Sequence, residues 1–502
     1  MSATRKLRAL AGLVLLAGCT VSPPAPPASP PLPALPAMKM PPGTPAPPSR
    51  RDNVSVARDF MQLAFRLENG RALPVLSRFE GPITLRLTGL PPSAAGMRDL
   101  ERLLARLRNE ARIPIRRVGA ETAAAITVEI VPRAAMRRVA PDAACFVSPG
   151  VSSWRAFRRP AAGAGPRDWA ALSRRTRLAV FIPSGIAPQE FRDCLHEEIA
   201  QALGPVNDLY HLKDSVFNDD NYHAVLTGFD MLILRAFYDP ELRSGMRPEQ
   251  VAARLPGILA RINPAGTRRR PTTPPEPTPQ EWIAQIEAAL GSRRLPEAAR
   301  LAAARRAVVL ARALGRADNR LAFSLHAYGR LAINRDSPAA LAALTEAEAI
   351  FRSDPATRLH AAHVAVQRAA HALSAGRFAR SLRIVDANSP LALQAGNAEL
   401  LATLLLIKAE ALAALGRRAD ARTVRLDALG WARYGIGDPA RIARRQSDIA
   451  ALVPPTGGSG TGRMPQCSRS SPPCSVPPSA PGRRSAAREA GPTWPSMQRH
   501  MR

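Results

Sequence analysis

The distribution of proline is the feature that most constrains how this chain can fold, because proline interrupts both helices and strand ladders. The chain has 50 prolines among 502 residues, which is too many for one compact fold. They concentrate in residues 20 to 51, in residues 264 to 280 and beyond residue 454. The two stretches between them are therefore predicted to fold, and the proline-rich stretches to be linkers or tails.

The first residues have the pattern of an export signal. Three basic residues precede a short apolar run, which is too brief to span a bilayer. The run ends in L-A-G-C at residues 16 to 19, which resembles the lipobox of bacterial lipoproteins. That resemblance implies cleavage before Cys19, lipidation of Cys19 and, because Thr20 rather than Asp follows, a periplasm-facing position on the outer membrane. The alternative is an ordinary cleaved signal or a cytosolic tail.

The basic residues are spread along the whole chain. The net charge is +30, and all but four of the 70 basic residues are arginine. A nucleic-acid-binding protein would gather this charge on one face or stripe, and the export signal also argues against nucleic acid as a partner. The arginines fit a GC-rich genome, or attraction to anionic lipids or cell-wall polymers.

Five cysteines are present, at positions 19, 145, 194, 467 and 474. With Cys19 lipidated, Cys145 and Cys194 could form a disulfide in an oxidising periplasm. The alternative is a pair of buried free thiols. No C-x-x-C motif supports a zinc ribbon or a thioredoxin-like site.

The first folded stretch, residues 53 to 262, mixes helical and strand patterns. Alternating or continuously apolar runs predict strands at 83 to 89, 125 to 132 and 177 to 184, and apolar positions at helical spacing predict a helix at 97 to 111. A further helix is predicted at 188 to 204, with proline near its start and Gly204 at its end. This order predicts an α+β domain of metzincin-like type.

The second folded stretch is rich in alanine, leucine and arginine, which favours helices. Small breaks recur at Gly291, Asp336, Gly376 and Gly416, at intervals of 45, 40 and 40 residues, and this period is typical of stacked helical hairpins. The last unit resembles a tetratricopeptide repeat. The predicted organisation is a lipoprotein signal peptide (1–18), a Pro-rich tether (19–52), a metzincin-like α+β domain (53–262), a linker (263–280), an all-α tetratricopeptide-like helical-repeat domain (281–452) and a disordered tail (453–502).

The stretch C-L-H-E-E-I-A-Q-A-L-G-P-V-N-D, residues 194 to 208, resembles the zinc-binding helix of a metzincin, H-E-x-x-H-x-x-G-x-x-H. With Gly204 aligned to the glycine, Glu197, Gln201 and Asn207 take the three ligand positions. Glu198 then takes the position of the general base. The spacing is preserved, but none of the three histidines is present.

Three interpretations of this helix remain open. In the first, its polar residues form a hydrogen-bonded network that fixes the helix to the following loop. In the second, they form a ligand site, or a site for a divalent cation held by Glu197, Gln201 and Asn207, because oxygen ligands suit harder cations than zinc. The third interpretation is a divergent metallopeptidase in which Glu198 activates a metal-bound water. No cofactor is expected under the first interpretation.

Residues 54 to 255 resemble a proteobacterial lipoprotein family catalogued as domain of unknown function 2927. The resemblance rests on the stretch from 194 to 208, on D-S-V-F-N-D-D and on F-Y-D-P-E-L-R-S-G-M. It implies architecture and location, not an activity. The predicted function is therefore a scaffold or binding lipoprotein, held to the membrane by its lipid and binding an unidentified envelope protein through its helical repeats.

Overall fold

A computed structural model describes residues 34–43, 46–141, 143–159, 167–291 and 295–455. The predicted signal peptide, the lipidation site at Cys19 and almost all of the predicted tail lie outside these residues. Among the residues that are described, no helix combines the length and the apolar character needed to cross a membrane.

The first half of the chain is an α/β domain in which helices alternate with strands. Its strands are β1 (Ile83–Gly89), β2 (Ile115–Arg117), β3 (Ile126–Val131), β4 (Phe146–Pro149) and β5 (Leu178–Pro183). Its helices are α1 (Asn53–Phe65), α2 (Ala94–Asn109), α3 (Arg133–Val139), α4 (Trp154–Arg158), α5 (Pro188–Leu203), α6 (Gly228–Phe237), α7 (Pro248–Ile262) and α8 (Pro264–Thr267).

The strands form one mixed sheet in the order β2-β1-β3-β5-β4. Four strands are parallel, and β4 pairs antiparallel with β5 at one edge. Every residue of β5 is buried, as expected for a strand with elements packed on both faces. The predicted strands over 83–89, 125–132 and 177–184 correspond to β1, β3 and β5.

The second half of the chain is entirely helical in the described residues. Its helices are α9 (Gln280–Ile286), α10 (Glu297–Ala313), α11 (Asn319–Ala332), α12 (Ser337–Arg352), α13 (Arg358–Ser374), α14 (Phe378–Gln394), α15 (Ala398–Ala414), α16 (Arg418–Gly435) and α17 (Pro439–Ala450). The predicted order of a domain of mixed helices and strands followed by an all-α region is confirmed.

The breaks expected between helical units are tight turns. Gly376 and Gly416 have φ angles of +69° and +80°, the left-handed conformation that glycine adopts without a steric cost. Gly376 separates α13 from α14, and Gly416 separates α15 from α16. Each period of about 40 residues therefore contains two antiparallel helices.

The α/β domain and the helical region share side chains. Tyr210 and Tyr222, from the loop between α5 and α6, are buried in an apolar cluster of the helical region. The Tyr210 ring lies 4.9 Å from the Trp282 ring, centroid to centroid. At the start of α5, the Gln189 amide donates to the side-chain oxygen of Asn397 at 3.1 Å. The helical region thus contacts the α/β domain at the start of α5 and at the loop that follows it.

Residues 35–43, within the predicted tether, lie against the helical region. The Lys39 backbone N–H donates to the carbonyl of Gly430 at 3.0 Å, and Arg433 donates to the carbonyl of Pro36 at 2.7 Å. A side chain at Gly430 would meet the carbonyl oxygen of Ala37 at 3.1 Å, so glycine permits this close approach. These residues of the predicted tether are therefore packed against the helical region.

Candidate functional site

Helix α5 carries the E-E-x-x-Q motif and is fixed at both ends. Pro188 occupies its first turn, where a missing N–H costs nothing. At the other end Arg175 is buried and donates to the carbonyls of Gln201, Ala202 and Gly204 at 2.6 to 2.8 Å. These carbonyls lie at the carboxyl end of the helix, where a cation is favourable.

Gly204 has a packing role rather than a turn role. Its φ angle is −173°, an extended value that any residue adopts. A Cβ at this position would lie 2.7 Å from the ring of Phe237 in α6. The glycine of the motif is therefore required by the close approach of α6, and its own backbone needs no left-handed turn.

The residues predicted for catalysis and metal binding differ in exposure. Glu198, in the position of the general base, is fully buried. Gln201 and Asn207 are also buried, and the Asn207 amide donates to the carbonyl of Gln62 at 3.1 Å. Glu197 alone among them is partly exposed.

Glu197 belongs to a group of carboxyls that sequence analysis did not identify. We call this group the carboxylate cluster: Glu68 after α1, Glu197 on α5, and Asp208 and Asp219 in the loop between α5 and α6. All four side chains are partly exposed. Glu68 and Asp208 share a hydrogen bond, so one of the two carboxyls must hold a proton.

The electrostatics of the cluster are set by burial and mutual repulsion. Burial and the nearby carboxylates raise the pKa of Glu68, Glu197 and Asp219 well above their usual range. Burial, with the carboxylates of Asp220 and Asp230, raises the pKa of Asp208 to about 7, although the hydrogen bond with Glu68 lowers it. In the described part of this arginine-rich chain, none of the four forms an ion pair with an arginine or lysine. The cluster therefore retains protons near neutral pH.

A hydrogen-bond donor on the same helix face as Glu197 is also unsatisfied. Gln201 lies one turn after Glu197, and its Nε2 has no hydrogen-bond acceptor within the described residues. Its side chain is only 2% exposed, so the missing bond is costly. In the ranges that the structure covers, no group of three or more His, Cys, Asp or Glu side chains is arranged to hold a metal ion.

The histidines near the motif have separate structural partners. His196 Nδ1 accepts the backbone N–H of Leu226 at 3.2 Å, and burial lowers the pKa of His196 well below its usual value. His211 Nε2 lies 3.1 Å from a carboxylate oxygen of Asp59. His196 and His211 therefore do not combine into one site.

Two residues of α6 and its end, Met231 and Tyr238, are part of the packing around α5. Met231 on α6 is buried in the main core. The Tyr238 hydroxyl donates to the carbonyl of Leu203 at 2.8 Å, beside the buried Arg175. Burial raises the pKa of Tyr238, so its hydroxyl stays protonated and remains a donor at neutral pH.

Sequence reasoning missed Glu68, Asp208 and Asp219 as members of one cluster. Asp208 ends the metzincin-like stretch and Asp219 lies in D-S-V-F-N-D-D, but no sequence pattern connects either residue to Glu68. The acidic residues outnumber the basic ones between 197 and 220, although the chain has a net charge of +30. This local excess is the sequence signal that could have indicated an acidic site.

Comparison with known proteins gives a family match that falls within the α/β domain. No curated protein matches it significantly. Residues 53–257, which contain the sheet, α5 and the whole carboxylate cluster, match the family described as protein of unknown function (DUF2927).

Proposed function

We propose that the protein is a lipid-anchored binding protein of the cell envelope, without catalytic activity, whose ligand places a cationic group at the carboxylate cluster. The observation that carries the proposal is the set of four partly exposed carboxyls with no basic partner among the described residues. Perturbed titratable groups of this kind favour a functional site over an ordinary surface. A cationic ligand would stabilise their ionised forms and so bind with release of protons.

The spacing of the cluster favours a molecular cation over a bare metal ion. No metal-holding group occurs in the described ranges, whereas an ammonium or guanidinium group can donate to carboxylates that lie further apart. The unsatisfied Nε2 of Gln201 would donate to a carbonyl of the same ligand. An amine next to a carbonyl is the chemistry of a peptide N-terminus or of a lysine-containing peptide.

Burial of Glu198 supports binding without catalysis. A general base must reach the water or substrate proton that it removes, at about 3 Å. Glu198 is fully buried and lies on the helix beside Glu197, whose side chain reaches solvent. The rival function is a metallopeptidase in which Glu198 is the base and Glu197, Gln201 and Asn207 hold the ion.

The proposal assigns the membrane anchor to Cys19 and the partner contact to the helical region. We propose that lipid on Cys19 holds the chain to the outer membrane, facing the periplasm, and that an envelope protein binds the helical region. One side of that region contacts the α/β domain, so the partner is expected on the opposite side. Replacement of Cys19 by serine should move the protein from the membrane fraction to the soluble periplasmic fraction.

The test of ligand binding uses the mature chain with Cys19→Ser, titrated by calorimetry with trilysine, spermidine, calcium chloride or zinc chloride. Trilysine should bind with proton release at pH 7, and Glu197→Gln with Asp219→Asn should weaken it at least ten-fold. Asp386→Asn, at an exposed carboxylate paired with Lys408, is the matched control and should bind normally. Stoichiometric zinc with peptide cleavage lost in Glu198→Gln would establish the peptidase instead, and no response to any cation would refute the proposal.

A further inference from the structure

Four of the eight histidines of the chain meet where the α/β domain contacts the helical region. We call His223, His326, His360 and His363 the histidine cluster. His223 lies in the loop between α5 and α6, His326 lies on α11, and His360 and His363 lie on α13. The rings of His326, His360 and His363 lie against Tyr222, which is buried among helices of the second half of the chain, and His223 lies against His360.

Short ring contacts hold the cluster together. The Tyr222 ring lies 4.2 Å from the His360 ring and 4.9 Å from the His363 ring, centroid to centroid. The His223 and His360 rings are 5.5 Å apart. The Tyr222 hydroxyl and His326 Nδ1 are 2.6 Å apart, so a neutral His326 can accept this hydrogen bond.

Few opposite charges are available to the cluster. From the loop, Asp220 places a carboxylate oxygen 3.4 Å from His360 Nε2, and Asp214 interacts more weakly with His223. Asp214 is already paired with Arg51. From α11, the nearby charge is the cation Arg330, which repels protonated His326 and His363.

Two further charged groups near the cluster are a salt bridge and an arginine. Lys213, in the loop, pairs with Asp354 just before α13. Arg300 from α10 repels Arg330 and adds positive charge. Asp220 can compensate a single proton, whereas the cluster contains four imidazoles.

We propose that the histidine cluster makes the contact between the α/β domain and the helical region sensitive to pH, so that mild acid loosens it. Protonation of His223 or His326 inside this contact would bury a positive charge that Asp220 cannot offset for several rings at once, whereas the same imidazole in water is stable as a cation. Protons therefore bind more tightly to the loosened form and favour it. This inference goes beyond the proposed ligand site and does not depend on it.

The direction and range of the effect follow from the pKa values. Burial lowers the pKa of His223 to about 4 and of His326 to about 3, and it lowers the pKa of His363 well below its usual value. In the loosened form the rings regain a pKa of about 6.5. Above that pH the histidines are neutral in both the packed and the loosened form, so pH does not shift the equilibrium between them. Below it, the histidines of the loosened form gain protons first. At pH 5 each such histidine favours loosening by about 30-fold.

Loosening would reach the carboxylate cluster through the same loop. Tyr210, whose hydroxyl donates to Asp219 at 3.1 Å, packs against Trp282 of the helical region. Asp219 and the histidine contacts of residues 220 to 223 are adjacent in the chain. Movement of this loop would therefore separate Asp219 from Glu197 on α5, and a bound cation would lose part of its site.

The test is hydrogen exchange of the mature Cys19→Ser chain, without ligand, at pH 7.5 and pH 5.0, with rates divided by the intrinsic chemical rate at each pH. Residues 209–226 and helices α11 and α13 should exchange at least ten-fold faster at pH 5.0. The triple variant His223→Gln, His326→Gln, His363→Gln should lose this acceleration. His371→Gln, at a partly exposed histidine of α13 outside the cluster, should retain it.

Three results would overturn the proposal. These are unchanged protection of residues 209–226 at pH 5.0, equal acceleration in wild type and triple variant, and strong extra protection by zinc at pH 7.5, which would identify a metal site. If the triple variant does not fold at pH 7.5, His326→Gln alone serves instead. Its amide oxygen can still accept from Tyr222, and it should reduce the acceleration by up to about 30-fold.

Discussion

Replacement of Asp208 by asparagine should stabilise the protein at alkaline pH and leave it unchanged in acid. Burial and neighbouring carboxylates raise the pKa of Asp208 from 3.8 to about 7. The folded state therefore keeps a proton that the unfolded state has already lost above about pH 4, and the stability of wild type falls as the pH rises from about 4 to 7. Asparagine is close in shape and cannot ionise, so it removes this loss.

The size of the effect follows from the shift in pKa. At about 1.4 kcal/mol per pKa unit, the full shift corresponds to about 4 kcal/mol. Asp208 is partly exposed and solvent screens part of the repulsion, so we expect a gain of about 1–3 kcal/mol at pH 8. At pH 4 the carboxyl is protonated in the folded state, and the difference between variant and wild type should be close to zero.

Urea unfolding at pH 4 and pH 8 measures this difference, and comparison at equal pH cancels the titration of groups that do not interact with Asp208. The control Asp386→Asn, at an exposed carboxylate, should change stability by less than about 0.5 kcal/mol at either pH. A loss of stability at both pH values would refute the reasoning. Asp208 would then act as a structural hydrogen-bond acceptor, and the polar-network interpretation of the motif would be correct.

Two further predictions concern the supports of α5. Arg175→Met removes three hydrogen bonds to helix-terminal carbonyls and should destabilise the α/β domain by about 3 kcal/mol in thermal or urea unfolding, whereas Arg174→Met at an exposed neighbour should have little effect. If both variants unfold alike, Arg175 does not fix the helix. Cys145 and Cys194 form a disulfide in the structure, so reduction should lower the free energy of unfolding by about 4 kcal/mol in the chain-entropy model. The Cys145→Ala, Cys194→Ala variant should not respond to reductant; a response there, or none in wild type, would contradict the prediction.

The elements with strong local patterns were predictable from the sequence. Strands β1, β3 and β5 have apolar or alternating residues, and α5 has a proline at its start and glycine at its end. The three-residue strand β2 and the four-residue edge strand β4 are too short to show a period. Their positions depend on pairing with β1 and β5, which only the folded sheet specifies.

The two clusters of titratable groups could not be assembled from local patterns. Glu68 and Glu197 are far apart in the chain, and they interact because α1 and α5 belong to one domain. The pair His360 and His363 does stand at helical spacing, so one face of α13 was predictable as histidine-bearing. The contact of His360 with Tyr222 and His223 could not be predicted, because it depends on a loop of the α/β domain that packs into the helical region.

Helix α5 is supported by contacts that lie outside its E-E-x-x-Q motif. Gln189 at its start bonds to Asn397 of the helical region, and Arg175 holds its final carbonyls, so both ends are fixed by contacts outside the motif. An unsatisfied buried amide at Gln201 and repelling carboxyls beside it reduce stability within this rigid frame. Local features that oppose stability inside a well-supported element are characteristic of binding sites, where a ligand supplies the missing partners. The position of the carboxylate cluster on this helix therefore favours the proposed ligand site over the interpretation that the polar residues only form a structural hydrogen-bonded network.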